Sequence, residues 1–112
     1  MGIEVSSADV EAAAGFFELI GFVRVEPPAT LSEFTWLERD GTQVHLMPTD
    51  EPTVPSPGHL AVVSPDFDAT VTRLRDAGFT VEPKREHWGQ PRALAIAPGG
   101  HRVELMAAPP LD

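Results

Sequence analysis

Three side chains able to ligate a divalent cation occupy strand-like positions in this sequence. They are His45 in Val44-His45-Leu46, His59 in Gly58-His59-Leu60, and Glu104 in Val103-Glu104-Leu105. Successive residues of a strand point to opposite faces. One face therefore collects Ile3, Val5, Val44, Leu46, Leu60, Val62, Val103 and Leu105, and is the face a helix should cover. The opposite face carries Gly2, Glu4, Gln43, His45, Met47, His59, Ala61, Arg102, Glu104 and Met106. Imidazole and carboxylate groups there can bind a metal ion, or simply hydrogen-bond a neighbour or a ligand. Glu104 is the catalytic candidate among them. Glu4 shares this side and is a candidate for contact with substrate, against the alternative of a solvated strand-end charge. Aromatic candidates for a ligand surface are Trp36, which alternates with Phe34, and His87-Trp88, followed by Gly89. Trp36 can line a ligand site or pack under a helix. His101 follows two glycines and is expected in a solvated turn. Glu82, Lys84, Arg85 and Glu86 read as a solvated loop.

The elements that position these residues come as a repeat. Asp9-Val10-Glu11-Ala12, followed by Gly21-Phe22, returns 57 residues later as Asp66-Phe67-Asp68-Ala69, followed by Gly78-Phe79. Near the ends of the halves the offset grows to 59, and Gly41 to Met47 lies over Gly100 to Met106. Under these shifts Gly2 corresponds to His59 and His45 to Glu104. Each half reads as strand, helix and three strands: a module over 1–48, a proline-rich linker over 49–57 and a module over 58–108, within a single domain. Asp9 and Asp66 stand where helices should be capped. Val10, Ala13, Ala14, Phe17 and Ile20 recur at helical spacing, as do Phe67, Val71, Leu74 and Ala77. Gly21 and Gly78 fall where a helix ends in a left-handed residue. The next strands are expected over 22–25 and 79–81, then over 34–38 and 92–97. Asp40-Gly41 and Gly99-Gly100 signal hairpins.

Composition limits the partners. The chain has 112 residues, 42% apolar and 22% charged, which is globular composition. No apolar run approaches the roughly 20 residues that span a bilayer, so no membrane contact is expected. No basic segment followed by an apolar one opens the sequence, and a cytoplasmic location is expected. Cysteine is absent, which excludes disulfides, thiolate nucleophiles and cysteine-type zinc sites. A net charge of −9, with one Lys and seven Arg, argues against nucleic acid as a partner. A module of about 50 residues buries too little surface to fold alone. Unpaired sheet edges would gain cover in a homodimer, which is expected.

The two Asp-to-Gly-Phe helix segments, Gly58-His59-Leu60-Ala61-Val62, His87-Trp88-Gly89 and Pro98-Gly99-Gly100-His101-Arg102-Val103-Glu104-Leu105 together resemble the vicinal oxygen chelate superfamily. That superfamily includes glyoxalases, bleomycin-resistance proteins, fosfomycin-resistance enzymes and extradiol dioxygenases. The resemblance implies an α+β fold of two tandem βαβββ modules, with curved mixed sheets around a cleft. It also implies metal ligands from the first and last strand of each module, which here are Gly2, His45, His59 and Glu104. Gly2 departs from the pattern and cannot ligate. Two histidines and a carboxylate still suffice for one divalent ion with open positions, and ferrous iron, zinc, manganese and nickel are all compatible.

Two functions follow. One is a metal-free protein that binds a small molecule, as bleomycin-resistance proteins do, and an acidic surface would attract a cationic ligand. The other is a metal-dependent lyase, isomerase or dioxygenase whose substrate chelates the ion through neighbouring oxygens, the ion stabilising the charge that develops. Ligand binding is the preferred reading.

Overall fold

Each half of the chain closes on its own sheet. The computed structural model describes residues 1–55 and 60–109, and the chain divides into two units, Met1–Val54 and Pro55–Asp112. The first unit runs β1 (Gly2–Val5), a 3₁₀ turn (Ser7–Asp9), α1 (Val10–Leu19), β2 (Val23–Val25), a second 3₁₀ turn (Ala29–Leu31), β3 (Thr35–Arg39) and β4 (Thr42–Pro48). The second runs β5 (Leu60–Val63), α2 (Phe67–Asp76), β6 (Val81–Lys84), β7 (Arg92–Ile96) and β8 (Arg102–Met106). The sheets have the orders β1-β4-β3-β2 and β5-β8-β7-β6. In each, the first strand lies parallel to the last and the other neighbours are antiparallel. A parallel pair needs a long crossover, and the helix and two strands between β1 and β4 supply it. The expected α+β architecture of two βαβββ modules is therefore present. No helix among the described residues is long and apolar enough to cross a membrane.

Alternation places the apolar face as expected. Ile3, Val5, Val44, Leu46, Val103 and Leu105 are buried. In α1 the buried residues are Ala13, Ala14, Phe16 and Phe17. Phe17 meets Phe16 and Phe22 edge-to-face, at centroid distances of 5.3 and 5.7 Å. In α2, Thr70, Val71 and Leu74 are buried, whereas Ala77, expected on that face, is exposed at the helix end. Gly21 and Gly78 have φ of 101° and 94°, the left-handed conformation that closes a helix at little cost to glycine. Asp40 and Gly41 both have positive φ, the hairpin turn whose twist suits the flanking strands.

Four further expectations change. Neither Asp9 nor Asp66 caps its helix through its side chain. The Asp9 carboxylate accepts from Ser6 Oγ at 2.9 Å, and Asp66 accepts from Thr70 Oγ1 and Arg73 Nη2, both at 3.1 Å. Side-chain donors have displaced the amides. Glu82 and Lys84 lie in β6 rather than in a loop, because the strand begins at Val81 and pairs with β7. His101 is buried, with 5% exposure, rather than solvated. Its carbonyl accepts the Ala97 amide at 2.8 Å, which draws the residue into the base of the β7–β8 connection. Finally, the ladders set Gly2 beside His45 and Ala61 beside Glu104. By strand register the counterpart of Gly2 is thus Ala61, because the 59-residue offset already holds in the first strands.

Candidate functional site

On the first sheet, the face turned away from α1 carries His45 and Trp36. The two-residue hairpin at Asp40-Gly41 sets Arg39 opposite Thr42, and counting back along the strands sets Trp36 opposite His45. Their rings stack in parallel, with centroids 3.8 Å apart and planes 6° apart. Leu37, on the other side of β3, is fully buried. Trp36 therefore belongs to the open face and not to the helix-covered core.

The orientation of His45 follows from a short relay. Gln43 Nε2 donates to Glu38 Oε1 at 3.2 Å, and Gln43 Oε1 lies 2.9 Å from His45 Nε2. A carboxylate only accepts hydrogen bonds, so the amide must turn its NH₂ to Glu38 and its oxygen to the imidazole. His45 then carries its proton on Nε2 and keeps the lone pair on Nδ1. Burial holds the His45 pKa below its ordinary value, and the Met1 ammonium adds to the effect. That ammonium donates to the Gln43 carbonyl at 2.8 Å.

A pH prediction follows. Because the folded pKa lies below the ordinary 6.5, the unfolded chain binds this proton first, and stability is lost as pH falls from about 6.5 through the folded value. Urea unfolding at pH 7.5 and 5.5 should show a larger acid loss for the wild type than for His45→Gln. Equal losses would mean that His45 is not held neutral.

Beside His45, the space over Gly2 is bordered by Met47. A Cβ there would meet Met47 Cε at 3.0 Å and Sδ at 3.1 Å, so the thioether already fills the space. Glu4 Oε1 accepts the Thr53 amide at 2.9 Å, which ties the segment after β4 back to β1. That assigns the Glu4 carboxylate a structural contact in addition to any contact with substrate.

On the second sheet, Glu104 is buried, with 6% exposure. Its Oε2 accepts from Arg92 Nε at 2.8 Å. The ladder sets Leu94 opposite Glu104 and Arg92 opposite Met106, so the ion pair runs diagonally across one face, within reach of long side chains. Arg92 Nη1 donates to the Arg85 carbonyl at 2.8 Å, and its guanidinium carbon stands 5.9 Å from the Trp88 ring centroid, within cation–π range. Glu104 raises the Arg92 pKa above its ordinary value by hydrogen bonding and charge. Trp88 is half-buried, and His87 is exposed, its ring 6.5 Å from that of Trp88.

The candidates therefore form two groups. Trp36 joins His45 in the first unit, and His87 and Trp88 adjoin Arg92 and Glu104 in the second. His59 lies outside the described residues. Arg92, Gln43 and Glu38 carry the geometry but have no role in the sequence reading. The hairpin count at Asp40-Gly41 would have found the Trp36–His45 pairing. No local signal announces Arg92.

The metal question turns on Glu104. Among the described residues no three His, Asp or Glu side chains gather as a metal site. Glu104 Oε2 is engaged by the Arg92 guanidinium, so an ion at that oxygen must compete with a cation already in place.

Paired βαβββ modules with polar and aromatic groups on the open face of each sheet define a glyoxalase-type fold. A family model for the glyoxalase-like domain matches residues 2–106, and the chain belongs to that family. No curated protein sequence matches it. Among solved structures, a Bacillus anthracis protein described as glyoxalase-family is 20% identical with a TM-score of 0.84, covering 94% of this chain and 88% of that one. The antibiotic-binding protein TnmS3 from Streptomyces sp. CB03234 is 23% identical with a TM-score of 0.67, covering 95% and 90%. The fosfomycin resistance protein FosX from Mesorhizobium loti is 18% identical with a TM-score of 0.75, covering 97% and 89%. At such identities the likeness carries the fold alone.

Proposed function

We propose that this chain binds an aromatic small molecule without a metal ion, in the manner of a bleomycin-resistance protein. The observation that carries the reading is the Trp36–His45 stack, 3.8 Å between centroids, on the open face of the first sheet. It is a flat surface assembled in the absence of ligand, so a stacking ligand need not order it, and preorganisation favours affinity. The indole N–H of Trp36 is withdrawn from solvent and has no acceptor among the described residues, and buried donors of this kind are ordinarily satisfied. An antibiotic-binding protein among the structural neighbours supports the reading. The engagement of Glu104 by Arg92 weighs against a metal-dependent enzyme.

Metal-free bleomycin is the first probe. It should quench tryptophan emission with a dissociation constant in the micromolar range or tighter and emerge unmodified. Trp36→Leu should weaken binding by about three- to tenfold, the worth of one aromatic contact. Calorimetric titration with Zn²⁺, Mn²⁺, Ni²⁺ and anaerobic Fe²⁺ should show nothing tighter than about millimolar, since Arg92 holds the carboxylate. Stoichiometric metal in protein purified without chelators would overturn the reading and restore the enzyme.

A further inference from the structure

Arg92 is more constrained than a partner for Glu104 needs to be. Its Nε is fixed by the Glu104 carboxylate and its Nη1 by the Arg85 carbonyl. Its plane stands beside the Trp88 ring. The remaining terminal nitrogen, Nη2, makes no hydrogen bond to any described residue. A guanidinium is a rigid fork with five donors, and fixing one side orients the other. The neighbouring Trp88 indole N–H also lacks an acceptor among the described residues.

We infer that Arg92 recognises an anionic oxygen carried on an aromatic ligand: the Nη2 edge donates to a carboxylate or phenolate oxygen while the ring lies against Trp88. Glu104 acts here as a positioning residue. It holds Nε and so fixes the plane of the fork. The ligand's oxygen is thereby met by hydrogen-bond donors. The inference rests on the small-molecule reading and assigns the second unit a ligand contact of its own. A chain of net charge −9 repels anions at long range, so the recognition is local and depends on this one residue.

The test uses the full chain labelled with ¹⁵N and three isosteric probes: 2-naphthoate, 2-naphthamide and 2-naphthylmethylammonium. Naphthoate should shift the Arg92 Nε–H and Trp88 indole N–H resonances and bind about tenfold or more tightly than either other probe, as a charge-assisted hydrogen bond allows. Arg92→Lys keeps the charge beside Glu104 but loses the fork, and should weaken naphthoate about tenfold while leaving naphthamide unchanged. Equal affinity for acid and amide, preference for the ammonium, or an Arg92→Lys protein that binds naphthoate like the wild type would each overturn the inference. Naphthoate shifts confined to Trp36 would overturn it too, yet leave the small-molecule reading standing. Failure of every aromatic probe at both tryptophans, bleomycin included, would remove both.

Discussion

Arg92→Met is expected to destabilise the protein by about 3 kcal/mol, the lower end of the range for removing one partner from a buried ion pair. Glu104 keeps only 8% side-chain exposure and Arg92 17%, with 2.8 Å between them. Without the guanidinium the carboxylate loses the cation 2.8 Å from its Oε2 in a poorly solvated site. The lower end applies because the arginine still touches solvent. Arg92→Met combined with Glu104→Leu is expected to return close to wild-type stability, since a buried pair exchanged for apolar groups of similar volume is often neutral. Urea unfolding of the three proteins checks both statements. A loss below about 1 kcal/mol for the single variant would class the pair with screened surface bridges. Recovery in the double variant, with ligand binding lost, would separate the recognition role of Arg92 from its structural one.

Phe17→Ala is expected to cost about 3–5 kcal/mol, the usual range for deleting a buried phenylalanine ring. Phe17 is fully buried and forms edge-to-face pairs with Phe16 and Phe22. Its loss opens a cavity between α1 and the chain entering β2 and removes two aromatic contacts. Small domains have only about 5–15 kcal/mol of stability in all, so the variant should unfold at or near physiological temperature. Val23→Ala makes the control. Val23 is 61% exposed on the edge strand β2, and a surface change of this kind should fall within about 0.5 kcal/mol. If the two variants unfold alike, the aromatic cluster is not the centre of the first unit's core.

Much of this architecture can be read locally. The paired Asp-to-Gly-Phe segments announce the repeat, and glycine at 21 and 78 ends each helix because few other residues accept a positive φ. Parity along a strand places Val44 and Leu46 on one face and His45 on the other, a consequence of backbone pleating that needs no knowledge of neighbours. The Asp40-Gly41 turn even implies that Trp36 faces His45, because a two-residue hairpin leaves one register.

Tertiary structure decided the rest, for reasons of distance along the chain. The parallel pairing of β1 with β4 and of β5 with β8 spans some forty residues, and no local rule states its register. The ladders alone show that Ala61 lies beside Glu104. His101 follows two glycines, as a solvated residue would, yet is buried, because burial depends on what packs above a turn and not on the turn itself. Arg92 is one strand end among several in the sequence. It becomes central because β7 and β8 are antiparallel and place its guanidinium diagonally across from the Glu104 carboxylate. Residue types and spacing determined which groups are able to meet a ligand. Which of them already hold one another was set by strand pairing, where a single charged contact in a water-poor site outweighs any preference written into the neighbouring residues.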